Sequence, residues 1–86
     1  MNINKLIEIV KSKIEAEIVM QDFKIEDKSF LHKNHKGHQE GKFHLKLIIK
    51  SEELDKLSKI ASTKKVYNIL DIEFKEHIHS IQILLN

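Results

Sequence analysis

The 86-residue chain has no cysteine, no proline, no tryptophan and no arginine, and only two glycines and one tyrosine. Without cysteine there is no disulfide framework, no thiol nucleophile and no all-cysteine metal site. Histidine and carboxylate are then the only strong side-chain metal ligands. Without arginine, all 15 basic residues are lysines. Lysine is a point charge, whereas arginine forks onto guanine or phosphate, which counts against sequence-specific reading of DNA. The wealth of Ile, Lys and Asn has the look of an AT-rich genome's coding bias, and that bias also accounts for the missing arginine. No apolar run is long enough to cross a bilayer. The N-terminal MNINKLIEIVKSK is amphipathic and lacks the apolar block and cleavage site of a signal peptide, so a cytoplasmic location is expected. The 15 basic and 13 acidic residues leave a mild net charge of +2. There are no repeats, no linker and no low-complexity tail, and the reading is a single domain over residues 1–86. A chain this short buries only about 60% of its unfolded surface, enough for one modest core.

The most distinctive stretch present is SFLHKNHKGHQEGKFH, residues 29–44. It holds four of the six histidines (His32, His35, His38 and His44) and both glycines, Gly37 and Gly41. No apolar periodicity survives between Leu31 and Phe43, so it reads as a long loop between two strands, the kind that usually carries function or is disordered. The remaining histidines, His77 and His79, begin the last apolar run. Whether that run brings His79 back beside the loop is the functional question.

The flanking patterns are regular. Ile3, Leu6, Ile7, Val10 and Ile14 form one helical stripe, with Asn2 suited to cap it, which predicts a helix over 3–16. Ile9 lies off the stripe as a boundary contact. Over 18–27 the period becomes two, with Val19, Phe23 and Ile25 on one face. Residues 42–50 alternate more cleanly: Phe43, Leu45, Leu47 and Ile49 point one way, and His44, Lys46, Ile48 and Lys50 the other. An antiparallel pair joined by the histidine loop is the economical arrangement. Ser51 suits an N-cap for a short helix over 52–58, with Leu54 and Leu57 facing inward. Ser62 or Thr63 then caps a helix carrying Val66, Ile69, Leu70 and Phe74, interrupted by Glu73 and bordered by Tyr67. Residues 78–85 read as a strand with His77, His79, Ile81, Ile83 and Leu85 on one face and Ile78, Ser80, Gln82 and Leu84 on the other. The expected fold is α+β, in the order α-β-β-α-α-β. It has a three-stranded mixed sheet covered by helices on one face and a right-handed crossover that makes the last strand parallel to the second.

Five pieces in this order carry a resemblance: Asp27-Lys28-Ser29-Phe30-Leu31-His32-Lys33-Asn34-His35, Gly41-Lys42-Phe43-His44-Leu45, Ser51 closing the second strand, Val66-Tyr67, and Ile78-His79-Ser80-Ile81. Each alone is weak, but the ordered set resembles the BolA-like family over nearly the whole chain. The resemblance implies a fold similar to the type II K homology domain without its GxxG loop. It also implies complexes with monothiol glutaredoxins that share a bridging [2Fe-2S] cluster, held on the other side by the glutaredoxin's cysteine and a glutathione thiol. By the same resemblance His79 is the C-terminal ligand, His32 the first choice in the loop and His35 the alternative. Roles in iron–sulfur trafficking, iron regulation and, for some bacterial members, transcription control follow. Where many members carry a basic Arg-His-Arg run before Val-Tyr, this chain has Ser62-Thr63-Lys64-Lys65, which keeps two lysines and loses the arginines and the histidine.

Three function classes compete. A cluster-binding adaptor is favoured, alone a monomer or weak homodimer. Iron held by two imidazoles resembles a Rieske centre, and a cysteine-free chain cannot supply the other iron's thiolates. A nucleic-acid-binding regulator is the runner-up, on a lysine face formed by Lys59, Lys64 and Lys65 with strong salt dependence. An enzyme is disfavoured: a zinc site with Glu40 or Asp27 as base is conceivable, but no HExxH, phosphate-binding glycine loop or catalytic pair is present. A plainer reading makes His79 a hydrogen-bonded core histidine and His32 and His35 bystanders. His38 and His44 are read as non-ligands, and His77 as a surface residue. Asp27 and Ser29 are read as organising the strand end.

Overall fold

The computed structural model describes residues 2–29 and 42–86. Helix α1 spans Ile3–Glu17 and starts where the sequence places it: the Asn2 side chain accepts from the Lys5 N–H at 2.8 Å. Leu6, Val10 and Ile14 are fully buried along its apolar stripe. Ile18 ends the helix in extended conformation, and its N–H still reaches the Ile14 carbonyl at 2.9 Å. The strand expected from residue 18 begins only at Asp22, because Ile18 dives into the core and Val19 is left 69% exposed while the chain reverses.

Strand β1 (Asp22–Asp27) pairs antiparallel with β2 (Phe43–Lys50), and β2 pairs parallel with β3 (Ile78–Leu85), giving the order β1-β2-β3. Both pairings and their directions agree with the sequence reading. One face of the sheet, through Leu45, Leu47, Ile49, Ile78 and Ile81, packs against Leu6, Val10, Ile14, Leu54, Val66 and Leu70 from the helices. The core thus lies between the central strand and a single helical layer, an α+β architecture.

Between β2 and β3 the chain forms three helices rather than two. Ser51 caps α2 (Glu52–Asp55) as expected, accepting from the Leu54 N–H at 3.2 Å, and its own hydroxyl donates to the Val19 carbonyl at 2.7 Å. Helix α3 (Lys59–Ile69) is capped by Ser58, not by Ser62 or Thr63. Ser62 is 1% exposed inside α3 and donates its hydroxyl to the Leu54 carbonyl at 3.1 Å. A cap chosen from residue type alone misses this, because either serine has the right chemistry and only packing against α2 distinguishes them. Leu57, expected inward, is exposed beyond the end of α2. At Leu70 the backbone leaves helical geometry (φ −101°, ψ 23°), and a separate α4 (Asp71–Glu76) returns the chain to β3. Tyr67 borders this turn, its ring 4.5 Å from that of Phe74. Glu73, the polar interruption, is buried and ion-paired to Lys13 of α1 at 2.7 Å.

Candidate metal centre

The N-terminal end of β2 gathers the chemistry. Ser29 sits just past β1, its N–H donating to Asp27 Oδ1 at 2.9 Å. Its hydroxyl oxygen accepts the His44 N–H at 3.0 Å, while the Lys28 N–H donates to the His44 carbonyl at 2.8 Å. On the other side the Phe43 N–H donates to the His77 carbonyl at 2.9 Å. Asp27 and Ser29 therefore organise the strand end, as expected. β1 ends and β2 begins at this same end of the sheet, with Asp27 opposite Leu45. His32, His35 and His38 lie outside the described residues.

The parallel register breaks here. Phe43 stands opposite Ile78, but His44 stands opposite Ser80, so β3 carries one extra residue, His79. Such a bulge puts two residues against one and re-aims side chains. Its result is that Ile78 and Ile81 both enter the core, at 2% and 8% exposure. His79 and Ser80 both stay exposed on the side of His44. The alternation read from sequence, with His79 sharing a face with Ile81, Ile83 and Leu85, is thus corrected: His79 is not a core histidine, and Ile78 takes the core position. The signal was present in the sequence, since apolar residues at 78, 81, 83 and 85 depart from a strict period of two.

His44 completes the arrangement. It points away from the apolar face, as the alternation predicts, yet it is only 5% exposed. Its Nδ1 lies 2.6 Å from Ser80 Oγ and its Nε2 lies 3.2 Å from His79 Nδ1. The two rings meet edge to face, with centroids 4.7 Å apart and an 81° interplanar angle. Among the described residues the structure therefore brings together one exposed and one buried imidazole, and a serine hydroxyl. His77, expected at the surface, is half-buried, with Nε2 3.6 Å from the Glu76 carboxylate.

The donor chemistry suits iron or zinc, for which imidazole nitrogen is a good ligand. Among the described residues no three histidine or carboxylate side chains gather to hold an ion on their own. Among the described residues the candidate centre holds an exposed imidazole, His79, backed by a buried one, His44.

The lysine face is partly engaged elsewhere. Lys65 Nζ pairs with Glu53 Oε2 at 2.7 Å. This hydrogen bond, with the Val19 N–H donating to Glu53 Oε1 at 3.4 Å, holds the Glu53 carboxyl below the usual glutamate range. Lys59 and Lys64 are exposed and unpaired among the described residues, and they flank exposed Ile60 and Tyr67 on α3. No helix among the described residues is long and apolar enough to cross a membrane.

Comparison with known proteins gives a consistent result. The family model described as BolA-like protein matches residues 14–86. The chain is 27% identical over 78 residues to the DNA-binding transcriptional regulator BolA of Haemophilus influenzae, spanning 91% of this chain and 73% of that protein. Its fold is similar to the BolA domain of SufE1 from Arabidopsis thaliana, with a TM-score of 0.77 and 23% identity over 100% of this chain and 93% of that one. BolA1 from Arabidopsis thaliana superposes with the same TM-score of 0.77 and 23% identity, over 92% and 87% of the two chains.

Proposed function

Because the chain belongs to the BolA-like family, we propose that it is a cytoplasmic, non-enzymatic accessory protein that binds a monothiol glutaredoxin and co-ligates a shared [2Fe-2S] cluster in iron–sulfur trafficking or iron sensing. The observation that supports this reading is the exposed His79 imidazole, with its Nδ1 3.2 Å from buried His44, at the end of the sheet where β1 ends and β2 begins. His79 supplies one ligand, and His32, or His35 in its place, supplies the second. The partner's cysteine and a glutathione thiol hold the other iron. The cluster, when bound, supplies one-electron redox chemistry with a potential raised by imidazole ligation. This chain's own part is to present neutral imidazoles, which alone can bind metal.

The test is to mix the purified chain with the monothiol glutaredoxin of the same organism, glutathione, iron and sulfide. Visible absorption and circular dichroism are then recorded for the wild type and for His79→Ala. A 1:1 complex whose spectrum differs from that of the glutaredoxin alone, and is altered or lost in His79→Ala, is the expected result. An unchanged cluster spectrum in the variant would remove His79 from the site and this reading with it.

The name of the Haemophilus influenzae relative favours a second reading, a nucleic-acid-binding regulator. Lys59 and Lys64, unpaired among the described residues, are the cations it would use, Lys65 being tied to Glu53. Its signature is an affinity for duplex DNA that falls steeply with salt, by a slope of about −0.9 per phosphate neutralised.

A further inference from the structure

We infer that His44 is a positioning residue that fixes the tautomer of His79, turning the His79 Nε2 lone pair outward before any metal arrives. The inference rests on the reading of His79 as a ligand, but its test needs neither metal nor partner.

The argument runs along three atoms. His79 Nδ1 and His44 Nε2 are 3.2 Å apart, so one must carry the proton and the other the lone pair, since two bare lone pairs at that distance repel. If His79 is to bind metal through Nε2, its remaining nitrogen, Nδ1, must be the N–H. Nδ1–H then donates to His44 Nε2. A neutral His44 with an accepting Nε2 carries its own proton on Nδ1, and there the Ser80 hydroxyl oxygen stands 2.6 Å away to accept it. The distances fit a relay in either direction, and it is the ligand role of His79 that sets this one. Metal-binding histidines commonly donate their second ring N–H to a partner that sets tautomer and orientation. Here that partner is another histidine, held rigid by burial at 5% exposure and by the anchoring of its backbone N–H to Ser29 and its carbonyl to Lys28.

The β3 bulge is what makes the contact. With regular pairing His79 would alternate onto the core face with Ile81; the extra residue places it beside His44 instead. The His44 ring, 5% exposed, lies against both His79 and Ser80.

Long-range proton–nitrogen correlation NMR of the ring nitrogens in the metal-free chain tests this, at about pH 8, well above the unperturbed imidazole value of about 6.5. His79→Ala identifies the His79 signals. The expected wild-type result is the Nδ1–H tautomer at His79, the one an unconstrained imidazole disfavours. In His44→Phe, which fills the space without a nitrogen, His79 is expected to revert to the Nε2–H form, and in His44→Gln, whose side-chain carbonyl can accept, to regain Nδ1–H. An Nε2–H tautomer at wild-type His79 overturns the inference even if no variant folds. So does a His79 tautomer unchanged in a folded His44→Phe. Failure of the glutaredoxin complex alone would sink the proposed function and leave this result standing.

Discussion

The Lys13–Glu73 pair joins the first helix to the last across 60 residues of sequence, and its removal should be costly in one direction only. Glu73 is 5% exposed, one carboxylate oxygen lies 2.7 Å from Lys13 Nζ, and the other is buried with no hydrogen-bond partner among the described residues. Gross Coulomb attraction at this distance is about 6 kcal/mol at an effective dielectric of 20. Most of it is cancelled by desolvating the carboxylate. Breaking a fully buried pair costs about 3–5 kcal/mol, and breaking an exposed one about 0–1. The Lys13 side chain is 37% exposed, so Lys13→Met should lie between these limits, at about 2 kcal/mol. A domain of this size has a total stability of about 4–13 kcal/mol, so the loss is large. It should appear in urea unfolding as a lower midpoint at unchanged slope, and in melting as a fall of about 8–16 °C. The double variant Lys13→Met/Glu73→Leu should return to within about 1 kcal/mol of the wild type, because apolar replacements of a buried pair are often neutral. If Lys13→Met proves indistinguishable from wild type, or the double variant as unstable as the single one, the buried-charge argument is wrong.

Two further expectations concern other parts of the fold. Glu53 is held below the usual glutamate range by Lys65 and the Val19 N–H, so its ionised form stabilises the fold. That contribution is complete above the unfolded value of about 4.3 and is lost as the pH falls through the lower folded value. Paired unfolding curves for wild type and Glu53→Gln should therefore converge on acidification; a gap that widens instead contradicts the assignment. Leu47, fully buried in the central strand between Ile25 and Ile83, should cost about 2–5 kcal/mol on truncation to Ala and under about 1.5 on exchange for Met, by urea denaturation. Equal costs for the two would mean that the site is not tightly packed.

Much of this architecture was determined by local pattern. The stripe from Leu6 to Ile14, the Asn2 and Ser51 caps, and the alternation from Phe43 to Ile49 each depend on periodicities of 3.6 or 2 that a sequence displays directly. The parallel pairing of β2 and β3 followed from having a helical connection between them. Family membership was also legible, because short motifs in a fixed order survive even at 27% identity.

The candidate centre was only half legible. His79 could be named from its motif, but its surroundings could not, since they depend on a one-residue slip between two strands. That slip lets both Ile78 and Ile81 join the core cluster. Once Ile78 and Ile81 are both buried, His79 has no place on the core face and is turned toward His44. For the same reason Ser58 rather than Ser62 caps α3, since the Leu54 carbonyl already holds the Ser62 hydroxyl. Composition and spacing determined the elements and supplied the histidines. Only tertiary packing decided that His44 and His79 meet, because burial energy is settled between elements distant in sequence, and a strand register shifts by whole residues.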